Sequence, residues 1–167
     1  MLIGITGKSG SGKTTLAKWL AEYSHFYVID VDEIGHSILD RIDVRDKIKE
    51  RFGVEVSSTD RKALGEVVFN NREKMKEYAD MSFGLMCDVI DEIIATHNNV
   101  IIEWILLPNT KYFDKCDIKI LCKRSYENRL KAVMERDNIS IEYFETRENN
   151  SIEYNEDLFD KIIITNK

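Results

Sequence analysis

The chain has 167 residues, 43% of them hydrophobic, and a formal net charge of −6, which suits one compact domain. An acidic balance argues against broad binding to a nucleic-acid backbone, because such binding needs a basic face. The sequence has no apolar run of the roughly 18 residues that a membrane span requires, and its start, MLIGITGKSG, has no basic region of a signal peptide. We therefore expect a small-molecule partner, no nucleic acid and no membrane, and a monomer or small homo-oligomer.

Apolar segments alternate with helical patterns along the whole chain. The predicted strands are MLIGIT, HFYVID, NNVIIEWILL, CDIKILCK and FDKIIITN. The predicted helices cover residues 12–24, 31–41, 44–52, 59–71, 71–97, 125–138 and 140–151. Uniformly apolar strands that alternate with helices indicate an α/β fold with a parallel sheet.

The cysteines, Cys87, Cys116 and Cys122, have no CxxC spacing. An odd number of cysteines in a chain without a signal peptide indicates the reducing cytoplasm. We predict that all three are small buried side chains.

Residues 7–14, GKSGSGKT, match the phosphate-binding pattern GxxxxGK[ST] at every fixed position. Glycines let backbone amides approach phosphate oxygens, and the helix that follows adds its N-terminal amides. We expect Lys13 to place its charge near the β- and γ-phosphates of a nucleoside triphosphate and the Thr14 hydroxyl to ligate Mg²⁺. The predicted nucleotide site, which we call the P-loop, comprises Gly7, Lys8, Ser9, Gly10, Ser11, Gly12, Lys13, Thr14 and Thr15.

The rest of the chain favours a kinase among the proteins that carry this motif. The sequence has no NKxD segment, which a GTPase uses to read guanine, and the chain is smaller than most translocating ATPases. We therefore predict a P-loop NTPase fold with three layers, in which helices flank a five-stranded parallel sheet and a helical lid covers the nucleotide.

Acidic residues stand where two predicted strands end. Asp30 and Asp32 follow the second strand, and Glu103 ends the VIIE run. Because ligands bind at the carboxyl ends of parallel strands, Asp32 is a candidate to orient or deprotonate the acceptor hydroxyl, and Asp30 to contact the substrate. Glu103 is a candidate for the Mg²⁺ site. The alternatives are that Asp32 only caps a helix and that Glu103 is a solvated strand end.

The polar helical segment 123–151 is a candidate lid, because a kinase must exclude water and neutralise the moving phosphoryl group. It carries Arg124, Arg129, Arg136 and Arg147. We predict that Arg136 and Arg147 act on the phosphates. The alternative is that they are ordinary solvated arginines.

These motifs, in this order, resemble those of the dephospho-CoA kinase family. The likeness extends over IGITGKSGSGKTT, YVIDVDEIGHSI, DRKALGEVVF, VIIEWILL, RDNIS and the terminal IIITN. The resemblance implies ATP-dependent phosphorylation of the ribose 3′-hydroxyl of dephospho-CoA, the last step of coenzyme A synthesis. The positions that match the family's most distinctive motif are Asp60, Arg61, Leu64, Gly65, Val68 and Phe69.

The resemblance also implies roles for individual residues. Asp32 corresponds to the base, and Asp30, Asp32, His36 and Arg61 belong to the acceptor side. Arg136, and after it Arg147, correspond to arginines of the lid. In this interpretation residues 1–167 form a single kinase domain, with an acceptor-side helical region near 33–97 and a lid near 123–151.

The sequence departs from the family pattern mainly on the acceptor side. The departures are Phe83-Gly84 in place of a His-Pro pair, Asn109 in place of an acid, Ala132 in place of an arginine, Ser151 in place of a glutamine and Lys8 in place of a glycine. Two alternatives therefore stand beside the first interpretation: a nucleoside, nucleotide or sugar-acid kinase, and a non-catalytic nucleotide-binding regulator.

Overall fold

The computed structural model describes residues 1–69 and 71–165. Asn166, at the end of the predicted last strand, and the side chain of Phe69 lie outside the described residues. The chain forms two compact units, one made of Met1–Asp30 and His97–Lys167 and the other of Val31–Thr96. Within the described ranges no helix is long and apolar enough to cross a membrane.

The first unit is built on a five-stranded sheet, as the sequence predicts. The strands are β1 (Leu2–Thr6), β2 (Tyr27–Asp30), β3 (Val100–Glu103), β4 (Ile118–Lys123) and β5 (Lys161–Ile164). They lie in the order β2-β3-β1-β4-β5, and every neighbouring pair is parallel. Because the strands run in one direction, their carboxyl ends share one edge of the sheet.

Strand β3 is shorter than the apolar run NNVIIEWILL predicts, since it ends at Glu103. Trp104 still donates from its amide to the Ile5 carbonyl, 3.1 Å away, and the chain then turns into a short 3₁₀ helix, Leu107–Asn109. Pro108 lies in that helix and has no amide to donate to a sheet. Trp104 and Leu107 are buried all the same. The run was misassigned because apolar residues in a buried turn look like a strand.

The α-helices in the described part of the first unit are α1 (Lys13–Ser24), α6 (Tyr126–Asp137) and α7 (Ile141–Asn149). The serines that the sequence places before the last two act as caps. Ser125 accepts from the Asn128 amide at 3.4 Å, and Ser140 accepts from the Tyr143 amide at 3.2 Å. The core between sheet and helix contains Ile3, Ile5, Ala17, Ile101, Ile120 and Cys122.

The second unit is helical. Its helices are α2 (Val31–Ser37), α3 (Ile42–Phe52), α4 (Lys62–Phe69) and α5 (Arg72–Thr96). The long helix is therefore continuous, as predicted, whereas α2 ends early and is followed by a 3₁₀ turn, Ile38–Asp40. The unit has its own core of Leu39, Val44, Ile48, Phe52, Val56, Leu64 and Val68.

The three cysteines are buried, as predicted. Burial raises the pKa of the Cys116 thiol to about 12 and that of Cys122 to about 11. Both thiols are therefore protonated at neutral pH, which suits packing rather than chemistry.

Candidate active site

The P-loop connects β1 to α1 and includes the first residues of that helix, and it has the backbone of a phosphate cradle. Gly7 has φ 146°, and a side chain there would place its Cβ 2.3 Å from the Cys122 carbonyl oxygen. Gly12 has φ 89° and immediately precedes the first residue of α1. Both positions need glycine because such backbone angles are strained for other residues. The first turn of α1 follows Gly12 directly, and the free amides of such a helix N-terminus can bind phosphate.

A buried hydroxyl inside the loop fits an anion-binding role. Ser11 is 1% exposed, and its Oγ has no hydrogen-bond partner among the described residues. Buried polar groups are normally hydrogen-bonded. The Ser11 hydroxyl therefore suits a loop in which a bound ligand supplies the missing hydrogen bond. A cavity of about 190 Å³ borders the loop, and its lining includes Lys8, Ser11, Arg124 and Tyr154.

The strand-end acid Glu103 lies against the P-loop. The Thr14 hydroxyl donates to Glu103 Oε2 at 2.8 Å, and Lys13 Nζ is 3.7 Å from Glu103 Oε1. Glu103 is only 4% exposed, so its charge needs the Lys13 partner. The sequence-predicted residues Lys13, Thr14 and Glu103 are thus brought together, and the hydroxyl and carboxylate oxygens are of the type that Mg²⁺ prefers.

Asp30 ends β2 directly opposite Glu103 in the parallel register of β2 and β3. The two acids therefore share the sheet edge at which the P-loop begins. Asp30 is half-buried. The prediction that strand-end acids gather at one edge agrees with this register.

The other acceptor-side residues lie in the second unit. Asp32 is exposed in the first turn of α2, where a negative charge stabilises a helix. His36 is exposed one turn later on the same helix, and Arg61 is exposed just before α4 begins. Their roles stay predictions.

Arg136 and Arg147 share one carboxylate, and with Asp137 they form what we call the Asp137 cluster. Arg136 Nε is 2.6 Å from Asp137 Oδ1, and Arg147 Nη1 is 3.4 Å from Asp137 Oδ2. The hydrogen bond from Arg136 holds the pKa of Asp137 below its usual range despite partial burial, and the charge of Arg147 adds to this effect. The structure thus brings the two predicted lid arginines together.

A second arginine cluster, which sequence reasoning missed, contacts the P-loop itself. Arg129 donates to both carboxylate oxygens of Glu148, at 2.8 and 2.7 Å, and its Nη1 lies 3.3 Å from the Ser9 carbonyl oxygen. Lys8 Nζ is 3.2 Å from Glu148 Oε1 and 2.5 Å from Glu153 Oε1. We call Lys8, Arg129 and Glu148 the Glu148 cluster.

Within the Glu148 cluster, neighbouring opposite charges lower the pKa of the acid and raise that of the lysine. The Arg129 hydrogen bond outweighs burial and holds the pKa of Glu148 below its usual range, and Lys8 contributes further. Burial lowers the pKa of Lys8, but the bonds to Glu153 and Glu148 outweigh it and raise that pKa overall. One signal in the sequence could have identified Arg129, because it lies one turn before the buried Val133 on the inward face of α6.

Comparisons with known proteins identify the family of this chain. The model of the dephospho-CoA kinase family matches residues 1–167. A dephospho-CoA kinase of Fusobacterium nucleatum is 32% identical over 151 residues, which cover 87% of this chain and 78% of that protein. One from Dehalococcoides mccartyi is 37% identical over 100 residues, 58% of this chain and 50% of that protein. Matched segments thus span between half and about four fifths of these relatives' length.

Solved structures of other proteins also match this chain. A protein from Thermus thermophilus has a TM-score of 0.82 at 25% identity, with 100% of this chain and 89% of that chain covered. The dephospho-CoA kinase from Campylobacter jejuni has a TM-score of 0.66 at 26% identity, with 99% and 88% covered. A shikimate kinase from Acinetobacter baumannii, at 15% identity and a TM-score of 0.59 with 99% and 84% covered, shares the fold alone. This chain belongs to the dephospho-CoA kinase family.

Proposed function

We propose that the protein transfers the γ-phosphoryl group of ATP to the ribose 3′-hydroxyl of dephospho-CoA. The observation that carries the proposal is the contact of Lys13 and Thr14 with the buried Glu103, in a chain of this family. It supports a donor site with a cation, a hydroxyl and an acid at the end of a phosphate-binding loop.

On the donor side, residues 7–15 bind the phosphates through backbone amides, and Lys13 neutralises charge on the β- and γ-phosphates. Thr14 and Glu103 are the oxygen donors that we assign to Mg²⁺. When bound, Mg²⁺ supplies further charge neutralisation of the phosphate oxygens. Phosphoryl transfer needs chiefly positioning and charge neutralisation, which are the two things that this group of residues offers.

On the acceptor side, we assign Asp32 as the group that orients the 3′-hydroxyl and takes its proton. The hydroxyl oxygen forms a bond to the γ-phosphorus, the bond from that phosphorus to the β–γ bridging oxygen breaks, and ADP leaves. Asp30, His36 and Arg61 are assigned to acceptor binding through their match to the family's motifs.

Arg136 and Arg147 are assigned to charge neutralisation at the moving phosphoryl group. Both are well exposed, with 59% and 46% of their side chains accessible. An exposed guanidinium exchanges partners at low cost, so the bonds to Asp137 are compatible with transfer to a phosphate when a lid closes.

The test is an acceptor panel with Mg-ATP and measured ADP release. We expect turnover with dephospho-CoA and none with nucleosides, nucleoside monophosphates or sugar acids. Turnover only with another acceptor would replace the acceptor assignment, and ATP binding without turnover would favour a regulator.

Two variants test the assigned groups in the same assay. Lys13→Ala and Asp32→Asn should each lower turnover by at least ~100-fold, as losses of electrostatic and acid–base groups usually do. The exposed residues Lys18, on the same helix as Lys13, and Asp80, on α5, provide controls. Lys18→Ala and Asp80→Asn should keep wild-type turnover, and near-normal activity of Asp32→Asn would refute the assignment of the base.

We also propose that the protein works in the cytoplasm as a monomer or small homo-oligomer. The support for the compartment is the set of three buried thiols with an odd count. Size-exclusion chromatography with light scattering would measure the assembly.

A further inference from the structure

Glu148 connects three separate segments of the first unit. Its carboxylate accepts two hydrogen bonds from Arg129 of α6 and lies 3.2 Å from Lys8 Nζ of the P-loop. Glu148 itself belongs to α7. One acid thus holds α6, α7 and the loop together.

The connection reaches the backbone of the P-loop through Arg129. Its Nη1 lies 3.3 Å from the Ser9 carbonyl oxygen. In a planar trans peptide the carbonyl and the following N–H point to opposite sides. A guanidinium that holds the Ser9 carbonyl on the α6 side therefore directs the Gly10 N–H to the other side of the loop.

Burial distinguishes this arrangement from an ordinary surface pair. The exposed fractions of the side chains are 7% for Arg129, 19% for Glu148 and 21% for Lys8. A buried cation depends on its acid, because removal of one partner leaves an uncompensated charge. Loss of the Glu148 charge should therefore move Arg129 and Lys8, and with Arg129 the Ser9 carbonyl group that it holds.

We propose that Glu148 is a positioning residue for ATP: through Arg129 and Lys8 it holds the P-loop in the conformation that binds phosphate. The inference rests on the proposed kinase function, but it concerns nucleotide binding, which can be measured without an acceptor. If the protein binds Mg-ATP and phosphorylates no acceptor, the proposed function fails while the role of Glu148 stays open to test.

The first experiment compares Glu148→Gln with Glu153→Gln, two substitutions of the same chemistry. Glu153 also contacts Lys8 but is 84% exposed, so it serves as the matched control. We expect Glu148→Gln to weaken Mg-ATP binding by about 10-fold, the usual effect of losing a hydrogen bond to a charged group, and Glu153→Gln to leave it within 2-fold. The Michaelis constant for ATP should rise by a similar factor, with a smaller change in kcat.

Two results would overturn the proposal. One is a folded Glu148→Gln protein that binds Mg-ATP as tightly as the wild type, which would make Glu148 a stabilising residue only. The other is tighter binding, which would mean that the carboxylate competes with phosphate for Lys8.

A second set of variants keeps the proposal testable if Glu148→Gln unfolds. Lys8 lies in the loop rather than in a helix, so Lys8→Ala should fold. We expect Lys8→Ala to weaken Mg-ATP binding and Lys8→Arg to restore it, because arginine still pairs with the carboxylate. In the double variant with Glu148→Gln the two effects should combine to less than their product, since both act on one contact. Independent, fully multiplicative effects would overturn the coupling.

Discussion

Helices α6 and α7 carry two arginine clusters of the same chemistry in opposite environments. In the Glu148 cluster the arginine is 7% exposed and its acid 19%. In the Asp137 cluster the arginines are 59% and 46% exposed and the acid 26%. The contact distances are similar, at 2.7 Å between Arg129 and Glu148 and 2.6 Å between Arg136 and Asp137. Burial, rather than distance, separates the two clusters.

The difference in burial suits the Glu148 cluster to a structural role and the Asp137 cluster to a role in the reaction. A buried ion pair holds its partners firmly, because each charge would be unsolvated without the other. An exposed pair contributes little stability, and water or a ligand can replace either partner. The Glu148 cluster therefore suits a fixed framework around the P-loop, and the Asp137 cluster suits arginines that change partners.

The largest expected effect is on stability. Arg129→Ala should lower the free energy of unfolding by about 3–5 kcal/mol, since it breaks a buried pair and leaves Glu148 with Lys8 alone. Arg136→Ala is the matched control on the same helix and should lower it by less than about 1 kcal/mol. Urea unfolding followed by circular dichroism measures both. Equal losses would show that the two environments do not differ in effect.

The next largest effect is on turnover, for which we expect the Asp137 cluster to matter more than the Glu148 cluster. Arg136→Ala and Arg147→Ala should each lower kcat by about 100-fold with little change in stability, as usual for the loss of a group that neutralises transition-state charge. The measurement is ADP release with saturating acceptor. Lys131→Ala, on the same helix and exposed, is the control and should be neutral. Full activity of both arginine variants would leave the Asp137 cluster as ordinary surface.

The geometry of the candidate donor site could be predicted because most of its residues are contiguous. Gly7 to Thr15 form one motif, and its glycines, lysine and threonine are required by local geometry. Glu103 is remote in sequence, but its place at a strand end was enough to predict that it meets the motif. The five-stranded parallel sheet followed from the alternation of apolar strands and helices in the same way.

The spacing from Val133 could place Arg129 on the inward face of α6, but the pairing within the Glu148 cluster could not be predicted because its partners are remote and chemically ordinary. Arg129 and Glu148 are 19 residues apart, and Lys8 lies far from both in the chain. Arginines on polar helices are usually solvated, so the burial of Arg129 is a product of packing against the P-loop. The true end of β3 was missed for a related reason, because Trp104 and Leu107 are buried in a turn.

The pH dependence of stability should separate the clusters further. Glu148 and Asp137 both have a lowered pKa in the folded protein. A carboxylate with a lowered folded pKa contributes stability that is fully present above the unfolded pKa of roughly 4 and is lost as pH falls through the folded value. Unfolding free energy should therefore drop below about pH 4. Glu148→Gln should flatten that drop more than Asp137→Asn does, and an equal effect would contradict the distinction.

The smallest expected effect is the sharpest test, because distance and burial predict opposite results for Glu153. Its carboxylate is closer to Lys8 than that of Glu148, at 2.5 against 3.2 Å, yet it is 84% exposed. If distance decides, Glu153→Gln should destabilise at least as much as Glu148→Gln. We expect a loss of less than about 1 kcal/mol, which added salt reduces further, because water and ions screen an exposed pair. Urea unfolding at low and high salt measures this, and a large, salt-independent loss would mean that contact distance outweighs burial around the P-loop.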